Sequence, residues 1–418
     1  MSARAVRAFF VMVLPLTMTK RAATTAAFTI SSTGSCSRPI RCRSRPGHGA
    51  FMSTSASDAS APVSSPAERL LSPTIDHKRP FFRIFYNDVY EVILPKGHRF
   101  PMEKYGKVRR RVQEMIAALP PEDQEKVQCD FQVSPLATFE ELTTTHSPDY
   151  VKNFMVGNQT DVEIRNVGFP WSPSGVNRAL SSVGGTVAAA CAVCDVLRER
   201  QEWRRQHGDE NSNDKSAPTW SAHVAGGTHH AFADRGEGFC VFSDIAVAAN
   251  VILERYPDIV QRILITDLDV HQGNGNAVLF QGRDDVMTFS MHCKKNFFSE
   301  KQSSDLDIEL PEHCTDQTYL STLSYWLKRI NEEGGEYDLV FYQAGVDIIS
   351  DDRLGRMSLS KEGVLKRNQL IYEWADERGI PLVITMGGGY PKKDWEPILD
   401  AHSNVYFSAF QYLAGAAT

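Results

Sequence analysis

The chain has 418 residues, 42% of them hydrophobic and 23% charged, with a formal net charge of −6. That is enough apolar material for one large packed domain. Residues 1–57 hold eight of the 45 Lys and Arg and no Asp or Glu, leaving 37 basic against 51 acidic side chains, a net of −14, on the remainder. An acidic body excludes a dedicated nucleic-acid binder, whose affinity comes from clustered positive charge.

In chain order, residues 1–57 are rich in Arg, Ser, Ala and Thr and free of acids, the composition of an organelle-targeting segment. The expected destination is the mitochondrion, with the plastid as the alternative. Cytoplasm or nucleus applies if the segment is only a tail before an internal start at Met52. The apolar run Phe9–Leu16 is too short to span a bilayer, and no membrane span is expected elsewhere. Residues 58–78, within a Ser-, Pro- and Ala-rich stretch, read as a disordered linker, and 79–418 as the folded domain.

Within that domain, 100–118 and 175–200 read as helices, and the polar stretch 201–219 as a surface excursion. Cys191 and Cys194 form a CxxC, but inside an Ala-rich helix and with no second Cys/His pair at ligand spacing, so they read as buried face rather than redox or zinc site. Further on, apolar runs at Ile263–Thr266, Val286–Met291, Leu339–Tyr342 and Leu382–Met386 alternate with helical patterns near 244–256, 316–333 and 361–378. Continuous apolar strands alternating with helices predict an α/β fold, a central, mostly parallel sheet with helices on both faces.

Polar clusters follow the strand candidates. Thr228-His229-His230 comes after Trp220–Gly227, and Asp267-Leu-Asp269-Val-His271 closes the 263–266 run. Gln343-Ala-Gly-Val-Asp347 and Gly387-Gly-Gly-Tyr390 close the last two. Carboxyl ends of parallel strands face one crevice, where ligands bind. Side chains alternate along a strand, so Asp267, Asp269 and His271 share a face. A carboxylate and an imidazole there can take a divalent metal, and Asp347 is the best third ligand. The adjacent His229 and His230 suit a base for water and an acid for a leaving amine, and Tyr390 suits an oxyanion donor.

The blocks Ala225-Gly-Gly-Thr-His-His-Ala-Phe, Gly236-Glu-Gly-Phe-Cys-Val-Phe-Ser-Asp, Asp267-Leu-Asp-Val-His-Gln-Gly-Asn-Gly, Gln343-Ala-Gly-Val-Asp and Met386-Gly-Gly-Gly-Tyr resemble the histone deacetylase superfamily. Upstream, Gly97-His-Arg-Phe-Pro-Met-Glu-Lys-Tyr and His146-Ser-Pro-Asp-Tyr fit the class IV subgroup and its bacterial relatives. The resemblance covers roughly residues 80–415. It implies an arginase/deacetylase-like fold, one zinc per chain, and hydrolysis of acyl groups from protein or peptide lysine. It assigns Asp269, His271 and Asp347 to the zinc, His229 and His230 to proton transfer, and Tyr390 to the transition state. Asp267 would orient His229 and help hold a structural potassium. Gly238, Phe239 and Phe297 would line the acyl-lysine channel.

Asn274 stands where classical members carry an aspartate partner for the second histidine, which predicts a lower pKa for His230. The rival expectations are a deacylase of small-molecule amides such as acetylpolyamines, and a non-catalytic acyl-lysine-binding scaffold. A binuclear manganese enzyme would need more Asp ligands. Residue pattern leaves acyl length and oligomeric state open.

Overall fold

The computed structural model describes residues 75–207 and 217–415. The expected targeting segment 1–57 and most of the expected linker lie outside the described residues. The strands are β1 (Phe81–Tyr86), β2 (Gln128–Val133), β3 (Thr219–His223), β4 (Ile263–Asp267), β5 (Val286–Cys293), β6 (Leu306–Leu310), β7 (Leu339–Gln343) and β8 (Leu382–Thr385). The helices are α1 (Lys104–Ala117), α2 (Pro121–Gln124), α3 (Phe139–Thr143), α4 (Pro148–Val156), α5 (Asp161–Val167) and α6 (Pro173–His207). After them come α7 (Asp244–Arg255), α8 (Asn274–Leu279), α9 (Asp316–Gly334), α10 (Lys361–Glu377) and α11 (Glu396–Leu413).

The eight strands form one sheet in the order β2-β1-β3-β8-β7-β4-β5-β6. Every pairing is parallel, so the sheet is wholly rather than mostly parallel. The central strands β3, β4, β7 and β8 are buried at every position, as expected where both faces are covered. Along β4 the faces alternate. Leu264 joins one core with the apolar sides of α1, α9, α10 and α11, while Ile263 and Ile265 join a second core with α4, α6 and α7. These two cores clamp the sheet, an arginase/deacetylase-like α/β architecture.

Register then places the chemistry. Asp267 at the end of β4 pairs with Ser290 of β5 and Gln343 of β7, and Gln343 pairs with Thr385 of β8, itself opposite His223 of β3. The carboxyl ends of the central strands therefore open at one level, and the loops leaving them share a crevice.

The helix expected at 175–200 runs on to His207, so only part of the expected surface excursion is loop, and 208–216 lies outside the described residues. α6 is long and apolar enough to cross a bilayer, but 72% of its apolar window is buried in the protein. Its small residues permit that burial: a Cβ at Gly185 would lie 2.4 Å from the His223 ring. Cys191 and Cys194 on this helix are free thiols whose pKa burial pushes up, unlike a metal-binding thiolate pair.

His146, just before α4, bridges two parts of the second core. Its Nδ1 lies 2.8 Å from the Phe232 carbonyl, and its Nε2 accepts the Ser243 backbone N–H at 3.0 Å. That pairing needs a neutral ring with the proton on Nδ1. Burial lowers its pKa to about 4. A His held neutral in the fold but titrating near its ordinary value when unfolded makes the unfolded chain the better proton binder, so stability is lost as pH falls from about 6.5 toward 4. The loss expected from this residue is about 3 kcal/mol. Urea midpoints across that range should decline, and His146→Gln should flatten part of the slope; an unchanged slope would show that His146 does not carry it.

Candidate active site

Four loops meet above the sheet. The 226–230 loop follows β3, the 268–274 segment follows β4, the 344–352 segment follows β7, and the 386–390 loop follows β8. The segment after β4 is held by short side-chain turns in which the Asp267 carboxylate accepts the Asp269 N–H at 3.1 Å, and Asp269 accepts the His271 N–H at 3.0 Å. These bonds rigidify the backbone and use only one oxygen of each carboxylate.

Asp269, His271 and Asp347 each bring one donor atom to a common point, all within 4.8 Å of one another and all buried. Asp269 Oδ2 accepts the Gly388 N–H at 2.7 Å, and Asp347 Oδ1 accepts the Val270 N–H at 3.0 Å. Asp347 Oδ2 has no hydrogen-bond partner and lies 3.3 Å from His271 Nδ1. Two carboxylates and an imidazole, one oxygen orphaned, are a donor set that fits a divalent metal with open positions. Gly388 must be glycine here, because a Cβ would sit 2.0 Å from Asp347 Oδ2.

The two histidines stand side by side, ring centroids 3.9 Å apart, with different partners. His229 Nδ1 is 2.6 Å from Asp267 Oδ2. Burial works against protonating His229, but Asp267 and Asp269 outweigh it and raise its pKa. His230 Nδ1 is 2.7 Å from Asn274 Oδ1, and its pKa lies well below the ordinary value. The sequence reading ascribed that direction to the missing carboxylate. The larger causes are burial and the neighbouring imidazoles of His229 and His271, while the Asn274 bond itself pushes the pKa up.

Asn274 is not alone. Its Nδ2 donates to Glu237 Oε2 at 3.1 Å. A carboxylate only accepts, so the Asn274 amide must point its nitrogen at Glu237 and its oxygen at His230. His230 then donates from Nδ1 and keeps the lone pair on Nε2. Sequence reasoning missed Glu237, although it sits in the Gly236-Glu-Gly block, because spacing says nothing about which side chain reaches back to Asn274.

Tyr390 is buried, and its N–H donates to Asp352 Oδ2 at 2.6 Å. Burial, reinforced by Asp347 and Asp269, raises the phenol pKa well above 10, so the hydroxyl remains a donor. Gly238 and Phe239 line the pocket with these groups, Phe239 in a left-handed backbone conformation at φ 67°. Phe297 lies 5.8 Å from the His230 ring, but Phe298 is nearer at 4.9 Å and also 6.2 Å from His271. The pair is stacked, so a single aromatic in the sequence reading corresponds to two adjacent rings in space.

A parallel sheet whose strand ends carry a buried Asp-His-Asp set, two histidines and a tyrosine defines a deacetylase-like hydrolase. Residues 104–406 match the family model described as the histone deacetylase domain, and the chain belongs to that family. It is 38% identical over 311 residues to an uncharacterized protein of Picosynechococcus sp., covering 74% of this chain and 93% of the other. It is also 32% identical over 189 residues to histone deacetylase 2 of Arabidopsis thaliana, covering 44% of this chain and 48% of that protein. Acetoin utilization protein AcuC of Staphylococcus aureus is 25% identical over 289 residues, covering 65% of this chain and 69% of that protein. Among solved structures, the HDA15 HD domain aligns with a TM-score of 0.60 at 18% identity, over 81% of this chain and 89% of that one. An HDAC homolog complexed with SAHA gives 0.58 at 21%, over 81% and 85%.

If Glu237 fixes the Asn274 amide, Glu237→Ala should lower turnover of an acylated-amine substrate about tenfold with little change in KM, because groups behind a catalytic histidine typically carry effects of that size. Glu237→Gln keeps an acceptor and should recover most of the rate. Identical turnover in Glu237→Ala and the parent would remove Glu237 from the site.

Proposed function

We propose that this protein hydrolyses the amide of Nε-acyl-lysine in proteins or peptides, using one zinc ion bound by Asp269, His271 and Asp347. The observation that carries the reading is the pairing of a buried Asp-His-Asp donor set with two adjacent histidines, one backed by a carboxylate and the other by an amide. A zinc ion at that point would supply a Lewis acid that polarises a carbonyl and acidifies a water.

The chain's own residues would do the rest. His230 presents its Nε2 lone pair and is neutral, the state a general base needs before it takes a proton from the attacking water. His229, held by Asp267, favours the protonated ring and supports transfer of a proton to the departing amine. The protonated Tyr390 hydroxyl donates to the carbonyl oxygen as negative charge develops. Phe239 and the Phe297/Phe298 pair offer apolar contact to the lysine stem.

Turnover of an acetyl-lysine peptide tests the reading. Zinc-loaded protein should be active, chelation should abolish and zinc restore the activity, and Tyr390→Phe should cost on the order of 10²–10³ in kcat. A Tyr390→Phe rate within a few-fold of the parent would overturn the assigned role, and full activity after chelation would overturn the metal.

We further propose that residues 1–57 direct the protein to an organelle, the mitochondrion first. A fluorescent protein carrying residues 1–57 should concentrate there; a diffuse cytosolic signal would refute it.

A further inference from the structure

Two cations lie buried beside the catalytic pocket with no acid to pair with. Lys104, at the start of α1, is 1% exposed and lines the pocket with Asp269, His271 and Tyr390. Its Nζ donates to the Gly387 carbonyl at 3.1 Å and the Gly389 carbonyl at 3.4 Å, and sits 5.4–5.7 Å from the ring centroids of Tyr390, Tyr105 and Phe100. Arg178, on the first turns of α6, is 8% exposed, its guanidinium 4.1 Å from the Tyr105 ring centroid and its Nη1 without a hydrogen-bond partner. The two cations thus share one aromatic ring, and neither forms an ion pair among the described residues.

Nearby acids do not neutralise them. Asp269 and Asp347 offset a divalent metal charge for charge, and Asp352 is committed to the backbone N–H groups of Leu354, Gly355 and Tyr390. An unpaired buried charge costs several kcal/mol, so a ligand that brings an anion here gains what the fold leaves unmet. Burial lowers the pKa of Lys104 to about 8.

A second, narrow cavity with Arg178 in its wall shares lining residues with the catalytic pocket. Its other walls are mainly apolar, among them Phe154, Phe169, Trp171, Val241 and Phe242. Phe100, Tyr105, Thr228 and Phe239 line both spaces. A substrate whose lysine stem passes Phe239 and whose carbonyl reaches Tyr390 would place its acyl tail in the pocket that Lys104 lines, beside the Tyr105 ring that Lys104 shares with Arg178.

We propose that Lys104 and Arg178 form an acyl-tail subsite for a carboxylate, so that the preferred substrates are lysines carrying a short dicarboxylic acyl group such as succinyl or glutaryl. This rests on the deacylase reading and names its acyl class. Hydrolysis needs no further reactant: the water oxygen bonds to the carbonyl carbon, the C–N bond breaks, a proton passes to the amine, and the free dicarboxylic acid leaves.

The test uses the zinc-loaded full chain and one peptide carrying acetyl-, butyryl-, succinyl-, glutaryl- or methyl-succinyl-lysine, the last with its charge masked. Succinyl or glutaryl should exceed butyryl and methyl-succinyl in kcat/KM by tenfold or more. Arg178→Met should collapse that ratio, and Arg178→Lys should restore part of it. Equal or better use of the uncharged acyl groups, or an unchanged ratio in folded Arg178→Met, overturns the proposal. Calorimetry of the parent protein with glutarate and with pentanoate gives a readout free of turnover and of variants. Both offer one carboxylate to the metal, so tighter binding of glutarate reports the second anion site, and equal binding overturns it. If no acyl-lysine is hydrolysed while glutarate still binds more tightly, the deacylase reading fails and the anion site stands.

Discussion

The organising constraint is the burial of like charges at one point. Asp269 and Asp347 are almost inaccessible to water, and one oxygen of each converges on the same space. Two carboxylates in a low-dielectric setting repel strongly unless a cation or a shared proton compensates them. Local hydrogen bonds from Val270 and Gly388 help each acid separately, and a divalent metal would relieve the pair. The glycines of the 387–389 turn, the short turns after β4 and the in-register ends of β4, β7 and β8 all serve to bring those oxygens together.

Much of this was legible beforehand, for a physical reason. Strands buried on both faces must be continuously apolar, so β4, β5, β7 and β8 stand out, and polar residues that interrupt their ends are conspicuous because burying them is costly. The edge strands were invisible on the same logic. β2, with Gln128, Asp130 and Gln132, and β6, with Asp307 and Glu309, are partly exposed and carry no apolar run. β1, inside the sheet, is apolar but short, and a short apolar run alone does not separate strand from helix. The overrun of α6 to His207 has a similar origin, since its last two turns are polar and solvent-facing and read as loop.

Within the site, what the sequence could not convey was orientation. It named His230 and Asn274 but not Glu237, whose reach to Asn274 depends on how the 236–240 turn sits over α8. It named Phe297, although Phe298 approaches His230 more closely, because neighbouring aromatics on an irregular segment have no periodicity to separate them. Arg178 carried no signal, and Lys104 stood in the Gly97–Tyr105 block without being singled out, each lying on a helix where a basic residue ordinarily faces solvent.

The histidine pair shows how one fold gives two neighbouring rings different environments. Both rings are buried and only 3.9 Å apart, so solvent exclusion penalises charge on each. The partner behind each ring breaks the symmetry. Asp267 gives His229 a full negative charge to bond, whereas Asn274 gives His230 only a dipole, oriented in turn by Glu237. Charge on His229 further disfavours charge on His230, so of the two rings His229 is the one that favours the proton. Replacing aspartate by asparagine behind His230 therefore sharpens the division between the two rings, and the departure from the usual pattern belongs to the same electrostatic design as the ligands.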